Sequence, residues 1–192
     1  MAFLLRLGWL ACVVYSTIPL FWLMIHPRAH RWRKLRSPFP VLLSAWMFMW
    51  IVTALVTAHW RKLELYSHSL TWIPAIGLFA LGMWLYRRAG AQFSWQQLGG
   101  LPEIRPRYRE QRLVTTGIRH YVRHPVYLGH LCEMFAWSLG TGLLVCWCLT
   151  LFATITGAVM IRLEGSELEK RFGEEHIAYR QSTGAILPKF LK

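Results

Sequence analysis

Three apolar stretches, Phe3 to Ile25, Val41 to Trp60 and Leu70 to Tyr86, constrain this chain more than any other feature of it. Each is close to the roughly 20 residues needed to cross about 30 Å of hydrocarbon, so each predicts a transmembrane helix. A fourth apolar region, Val126 to Ile161, is interrupted at Gly140-Thr141-Gly142, which reads as a tight turn between two antiparallel helices. The first arm of that hairpin, Val126 to Leu139, is short enough that a re-entrant or interfacial segment stays open. The expected fold is all-α: a polytopic membrane protein of about five transmembrane helices, the last two a helical hairpin, with cytoplasmic amphipathic segments. The composition agrees, since 55% hydrophobic residues and eleven tryptophans in 192 residues suit a surface that faces lipid.

One membrane domain over residues 1–192 is the simplest organisation. It comprises three helices in 1–90, a basic cytoplasmic segment in 91–125, the hairpin in 126–162, and a cytoplasmic helix and tail in 163–192. The first stretch reads as a retained helix rather than a signal peptide, because it lacks a small-residue cleavage site and a strongly basic segment follows it. Lysine and arginine set the orientation. Arg28, Arg31, Arg33, Lys34 and Arg36 follow the first helix, and a second basic run from Arg87 to Arg123 follows the third. Both runs should be cytoplasmic, which puts the N-terminus outside and the C-terminus inside.

The formal charge of +13 and a pI near 10.3 invite a nucleic-acid reading. The arginines concentrate at helix ends, where they satisfy topology and meet anionic headgroups, so no nucleic-acid partner is expected. Cys12, Cys132, Cys146 and Cys148 fall within apolar helices and read as small buried hydrophobes, with no disulfide partners. The eight histidines show no zinc spacing and no metal is expected; His26 and His30 form an i, i+4 pair in a basic loop.

The most informative stretch is Leu113 to Gly129, which runs LVTTGIRHYVRHPVYLG into the fourth apolar helix. Pro125 suits the first turn of a helix and restricts the preceding His124 to an extended backbone, aiming it away from the axis. Tyr127, His130 and Glu133 follow at helical spacing, so three polar side chains share one face of a membrane helix. In lipid such groups usually line a cavity. For Tyr127 an interfacial role, for His130 a capping role and for Glu133 a packing pair with an arginine are open alternatives. An ion or proton pathway through His130 and Glu133 is another. After the fifth helix, Leu168, Phe172 and Tyr179 recur on one helical face, predicting a helix on the membrane surface. Glu164 directly follows the apolar helix, at the depth of His124 on its antiparallel neighbour. The two should converge with Tyr127 beneath a cluster of arginines.

In these residues the chain resembles the isoprenylcysteine carboxyl methyltransferases and the related membrane phospholipid methyltransferases. Leu113-Val114-Thr-Thr-Gly117 with Arg123-His124-Pro125-x-Tyr127-x-Gly129 is similar to that family's cofactor motif. Glu164, Leu168, Phe172-Gly173, Tyr179 and Pro188 keep the spacing of its second motif. The resemblance implies S-adenosyl-L-methionine-dependent methyl transfer to a small hydrophobic or lipid-like acceptor. The cofactor would lie against Leu113, Val114, His124, Pro125, Val126, Tyr127 and Glu164. Where the prenylcysteine enzymes carry an arginine to pair with the substrate carboxylate, this chain has Met160. Gly165, Arg119 and His176 also replace residues common in the family. Met160 points to a different acceptor, a thiol, a lipid amine or another hydrophobic molecule, or to a non-enzymatic lipid-binding or assembly protein of the same fold. No residue is assigned to catalysis. A bacterial inner membrane is preferred as the location, with the endoplasmic reticulum open.

Overall fold

The computed structural model of the chain describes residues 1–32, 34–91 and 113–189. Much of the predicted basic segment, 92–112, and Arg33 lie outside the described residues. The helices are α1 (Ala2–Ile25), the single turn α2 (Ala29–Trp32), α3 (Phe39–Thr57), α4 (Trp72–Gly90), α5 (Pro125–Thr141), α6 (Leu144–Phe172) and α7 (Glu174–Ser182). Among the described residues there is no strand, only two isolated bridges.

Among the described residues four helical segments are long and apolar enough to cross a membrane: Ala2–Arg28, Phe39–Thr57, Ser69–Gly90 and Leu144–Phe172. The protein is integral to a membrane. α5, with 17 residues, is about 25 Å long and so falls short of a full hydrocarbon span. It does not need one, because α1, α4 and α6 pack around it and most of its residues are buried. Its polar and small residues are the reason it takes the centre. Glycine lets backbones approach where apolar burial gives no driving force between helices. A Cβ on Gly82 of α4 would come within 3.1 Å of the Gly129 carbonyl oxygen on α5, and one on Gly129 within 2.6 Å of the Tyr86 ring.

The turn between α5 and α6 lies two residues later than glycine spacing alone suggested. Gly140 and Thr141 are still helical, and Gly142 ends α5 with φ +66°, a conformation that costs other residues about 1–2 kcal/mol. The loop after α3 clamps this turn: Leu65 N–H donates to Gly142 O at 2.8 Å and Leu144 N–H to Leu63 O at 2.9 Å.

A second difference matters more for the site. Hydropathy ends the last membrane helix at Ile161, yet α6 continues unbroken to Phe172. Gly173, at φ +57°, breaks the chain before α7 begins. Leu168, Phe172 and Tyr179 therefore do not share one surface helix. Helix propensity in the Glu-Leu-Glu-Lys-Arg run extends α6, so Glu164 stands on the same rigid rod as the buried residues beneath it.

Candidate active site

At the end of the bundle where α1, α4 and α6 terminate and α5 begins, the helices enclose a cavity of about 1960 Å³. That is roughly twice the upper end of the usual range for a single small-molecule site, about 300–1,000 Å³. Its walls differ. One side is apolar and built by α1 and α3, with Ile18, Phe21, Leu42, Leu43 and Trp46. The other carries His124, Glu164, Arg119, Arg123, His176 and Tyr179.

Leu113, Val114, His124, Pro125, Val126, Tyr127 and Glu164, the residues singled out from the sequence, all line this one cavity. Pro125 opens α5, and His124 precedes it at φ −117°, ψ 61°, outside the helical region as proline requires but short of the extended backbone expected. From there the His124 ring meets α6, with Nδ1 3.5 Å from Glu164 Oε2. Burial pulls the His124 imidazole below its ordinary pKa, and Glu164 offsets this only in part while Arg123 and Arg119 reinforce it. At neutral pH His124 is therefore an uncharged hydrogen-bonding group. Burial likewise lowers Arg119 and Arg123 from the usual guanidinium value, with no practical loss of charge.

Tyr127 points at α6 rather than along the face shared by His130 and Glu133. Its hydroxyl donates to the Ala153 carbonyl oxygen, in space that exists only because residue 157 is glycine: a Cβ there would overlap the phenol. The hydroxyl is thus committed to the helix backbone, leaving the ring to the cavity. Among the described residues Glu133 has no arginine partner. It is 8% exposed and accepts a hydrogen bond from the Tyr15 hydroxyl on α1. His130 sits between the Tyr15 and Tyr86 rings, 5.3 Å from each centroid, and lines the cavity floor. Met160 also faces the cavity, 5% exposed and packed with Tyr127 and Leu131. Gly165 has open space where a side chain would stand.

The polar wall is strapped together by backbone. Arg123 N–H donates to Gly184 O at 2.9 Å and His124 N–H to Ala185 O at 3.0 Å, so residues 184–185 run beside the motif. The Tyr179 hydroxyl donates to Arg119 O at 2.6 Å. The Arg123 guanidinium reaches Arg180 O at 3.0 Å and also Thr183 O, with Lys189 Nζ on Arg180 O and Gln181 O. These cations satisfy the carbonyls at the α7 C-terminus and suit its dipole.

Sequence reasoning missed the contribution of α1. His26, directly after Ile25, lines the cavity and pairs with Glu167, and Trp22 stacks on it. The signal in the sequence is an imidazole at the end of an apolar helix, obscured by the basic residues that follow it. His176 was noted only as a substitution. It is 2% exposed, lines the cavity, and its Nδ1 has no hydrogen-bond partner among the described residues.

The fold is a membrane helical bundle with a cavity lined by both polar and apolar side chains. The phospholipid methyltransferase family matches residues 70–175, more than half of the sequence, and this chain belongs to that family. Among curated proteins it is similar to the protein-S-isoprenylcysteine O-methyltransferases of Mus musculus, at 29% identity, and Homo sapiens, at 28%. Both alignments run over 148 residues, covering 74% of this chain and 49% of the relative. The chain thus spans about half the length of the curated relatives it matches. No solved structure gives a significant match.

Proposed function

We propose that the protein is an S-adenosyl-L-methionine-dependent methyltransferase acting on a small hydrophobic or lipid-like acceptor. The observation that carries this reading is the convergence of residues from both sequence motifs on one cavity that apolar side chains of α1 and α3 also line. The polar wall suits the cofactor: the buried His176 Nδ1 has no hydrogen-bond partner among the described residues, and Glu164 adds an acceptor for hydroxyl or amino groups. Bound there, the cofactor supplies an electrophilic methyl group on a sulfonium.

The protein's share of the work is positioning. In-line displacement at a methyl carbon needs an aligned nucleophile and a shielded electrophile, and alignment alone contributes about 7–11 kcal/mol in favourable cases. Tyr127 and Tyr179 offer ring faces to a sulfonium charge, with Tyr127 locked by its bond to Ala153. His124 is held by the Ala185 carbonyl and by Pro125, and it in turn orients Glu164. The apolar wall of α1 and α3 receives the acceptor's hydrocarbon part from the bilayer side. The basic end of the bundle is cytoplasmic in this reading, by the positive-inside bias, with a bacterial inner membrane preferred over the endoplasmic reticulum.

Calorimetric titration of detergent-purified protein with S-adenosylhomocysteine, wild type beside Glu164→Ala, tests the reading. Binding to wild type that is lost in the variant supports it, and no binding to wild type refutes it.

A further inference from the structure

His26 and Glu167 form a second imidazole–carboxylate pair in the same cavity, and the family motifs do not include it. His26 Nδ1 lies 2.9 Å from Glu167 Oε2, shorter than the 3.5 Å between His124 and Glu164. Glu167 stands three residues after Glu164 on α6, about one helical turn further along the same face. His26 lines the cavity, and Glu167 meets its Nδ1 from α6. The His26 side chain is 7% exposed, and Trp22 stacks against its ring at 5.3 Å and 21°.

This is the arrangement that makes an imidazole a directed base. A carboxylate on Nδ1 fixes the proton there, holds the ring plane, makes Nε2 the basic nitrogen, and stabilises the imidazolium formed when Nε2 takes a proton. The location is equally specific. His26 lies at the end of α1, where the apolar wall of Phe21, Leu43 and Trp46 gives way to the polar wall of His124 and Glu164. An amphiphile with its tail against the first wall presents its head group at this boundary.

We propose that His26 is the catalytic base that deprotonates the methyl acceptor, with Glu167 as its positioning residue, so that the acceptor is a protic nucleophile on a long apolar tail, a thiol or an amine. This rests on the methyltransferase reading above and extends it to the substrate class. A carboxylate is ionised at neutral pH, with a pKa near 4, and has no proton to give. A thiol near 8.5 or an ammonium near 10 must lose one. Met160, apolar and buried on the cavity wall, fits the same distinction. The step balances for a thiol: Nε2 takes the S–H proton and the sulfur lone pair attacks the methyl carbon. The new S–CH3 bond forms as the sulfonium S–CH3 bond breaks, its electron pair staying on the departing sulfur. The products are a methyl thioether, S-adenosylhomocysteine and an imidazolium that returns its proton to water.

The test compares wild type, His26→Gln and Glu167→Gln of the full chain in detergent. The acceptors are decanethiol, 4-decylthiophenol, decylamine and decanoic acid, with S-adenosylhomocysteine binding measured in parallel. Wild type is expected to methylate decanethiol or decylamine, which tells the two acceptor chemistries apart. In His26→Gln the kcat for that acceptor falls by about 10²-fold or more. Cofactor binding stays unchanged, and the loss is much smaller for 4-decylthiophenol, which is largely ionised without help. Glu167→Gln shows the same pattern with a smaller loss. Equal losses on both thiols, loss of cofactor binding in His26→Gln, or methylation of decanoic acid alone overturns the proposal while leaving the methyltransferase reading intact. A wild type that binds no S-adenosylhomocysteine overturns both.

Discussion

α3 and α5 both belong to apolar stretches of the sequence, α3 the more hydropathic of the two, yet they end in opposite surroundings. α3 runs Phe-Pro-Val-Leu-Leu-Ser-Ala-Trp-Met-Phe-Met-Trp and buries only Leu42 and Thr57 fully, presenting Phe48, Ile51, Leu55 and Val56 outward. Its ties to α1 are few and local: Trp9 Nε1 donates to Thr57 Oγ1 and Trp46 Nε1 to Thr17 Oγ1, each at 3.0 Å. α5, shorter and interrupted by Gly, Ser, His and Glu, is almost wholly enclosed. In lipid, apolar side chains gain little by leaving the hydrocarbon for the protein interior. Polar groups and glycines, which pair and let backbones meet, mark the centre. Hydropathy finds the membrane; small and polar residues find the middle of the bundle.

That contrast can be broken from its strong side downwards. Glu164→Ala, at the end of the enclosed region, removes a charged hydrogen-bonding group worth about 1.5–3 kcal/mol. S-adenosylhomocysteine affinity should accordingly fall by roughly ten- to a hundredfold by calorimetry. Gly157→Val puts a branched side chain where Tyr127 crosses α6, and overpacking of this kind costs about 1–3 kcal/mol. The loss should appear as a lower unfolding temperature in detergent, and Tyr127→Phe in the same chain should recover part of it. A double variant no better than the single one would mean that Tyr127 is not what the valine strikes. Tyr15→Phe, which leaves Glu133 without its donor, should cost about 0.6–2 kcal/mol in the same assay.

Acidification probes the polar wall as a slope rather than a step. Burial depresses both His124 and His176. Below the ordinary value near 6.5 the unfolded chain therefore takes up protons that the folded chain refuses. The stability these groups contribute is complete above that pH and is lost as the pH falls through it. His124→Gln should flatten the dependence of unfolding temperature on pH between neutrality and mild acid. An unchanged slope would remove the buried neutral imidazole as its source. At the weak end, Ile51→Ala on the outer face of α3 should move stability by no more than about 0.5 kcal/mol.

The comparison also explains what was legible beforehand. Apolar length located α1, α3, α4 and α6 to within a few residues at most ends, because the bilayer fixes the span and the backbone must satisfy itself within it. Pro125 fixed the start of α5, since proline restricts its neighbour wherever it stands. The convergence of His124 with Glu164 followed from an antiparallel hairpin of two helices. Less was visible where the outcome depends on a third element. Tyr127 turned to α6 because Gly157 left room for it, a fact about a residue 30 positions away. Glu133 found Tyr15 rather than an arginine because α1 packs beside α5, and no local pattern encodes that neighbour. The extension of α6 to Phe172 was missed because hydropathy reports where lipid ends, and helices do not have to end there.

The strap formed by residues 184–185 bears on the order in which the molecule is made. The motif at Arg123 and His124 leaves the ribosome some 60 residues before the segment that holds it, as the span from Arg123 to Thr183 shows. The apolar helices can therefore be threaded into the bilayer while the polar wall is still incomplete. The cavity closes only when the later segment arrives, so during synthesis the chain is a membrane protein before it has a site.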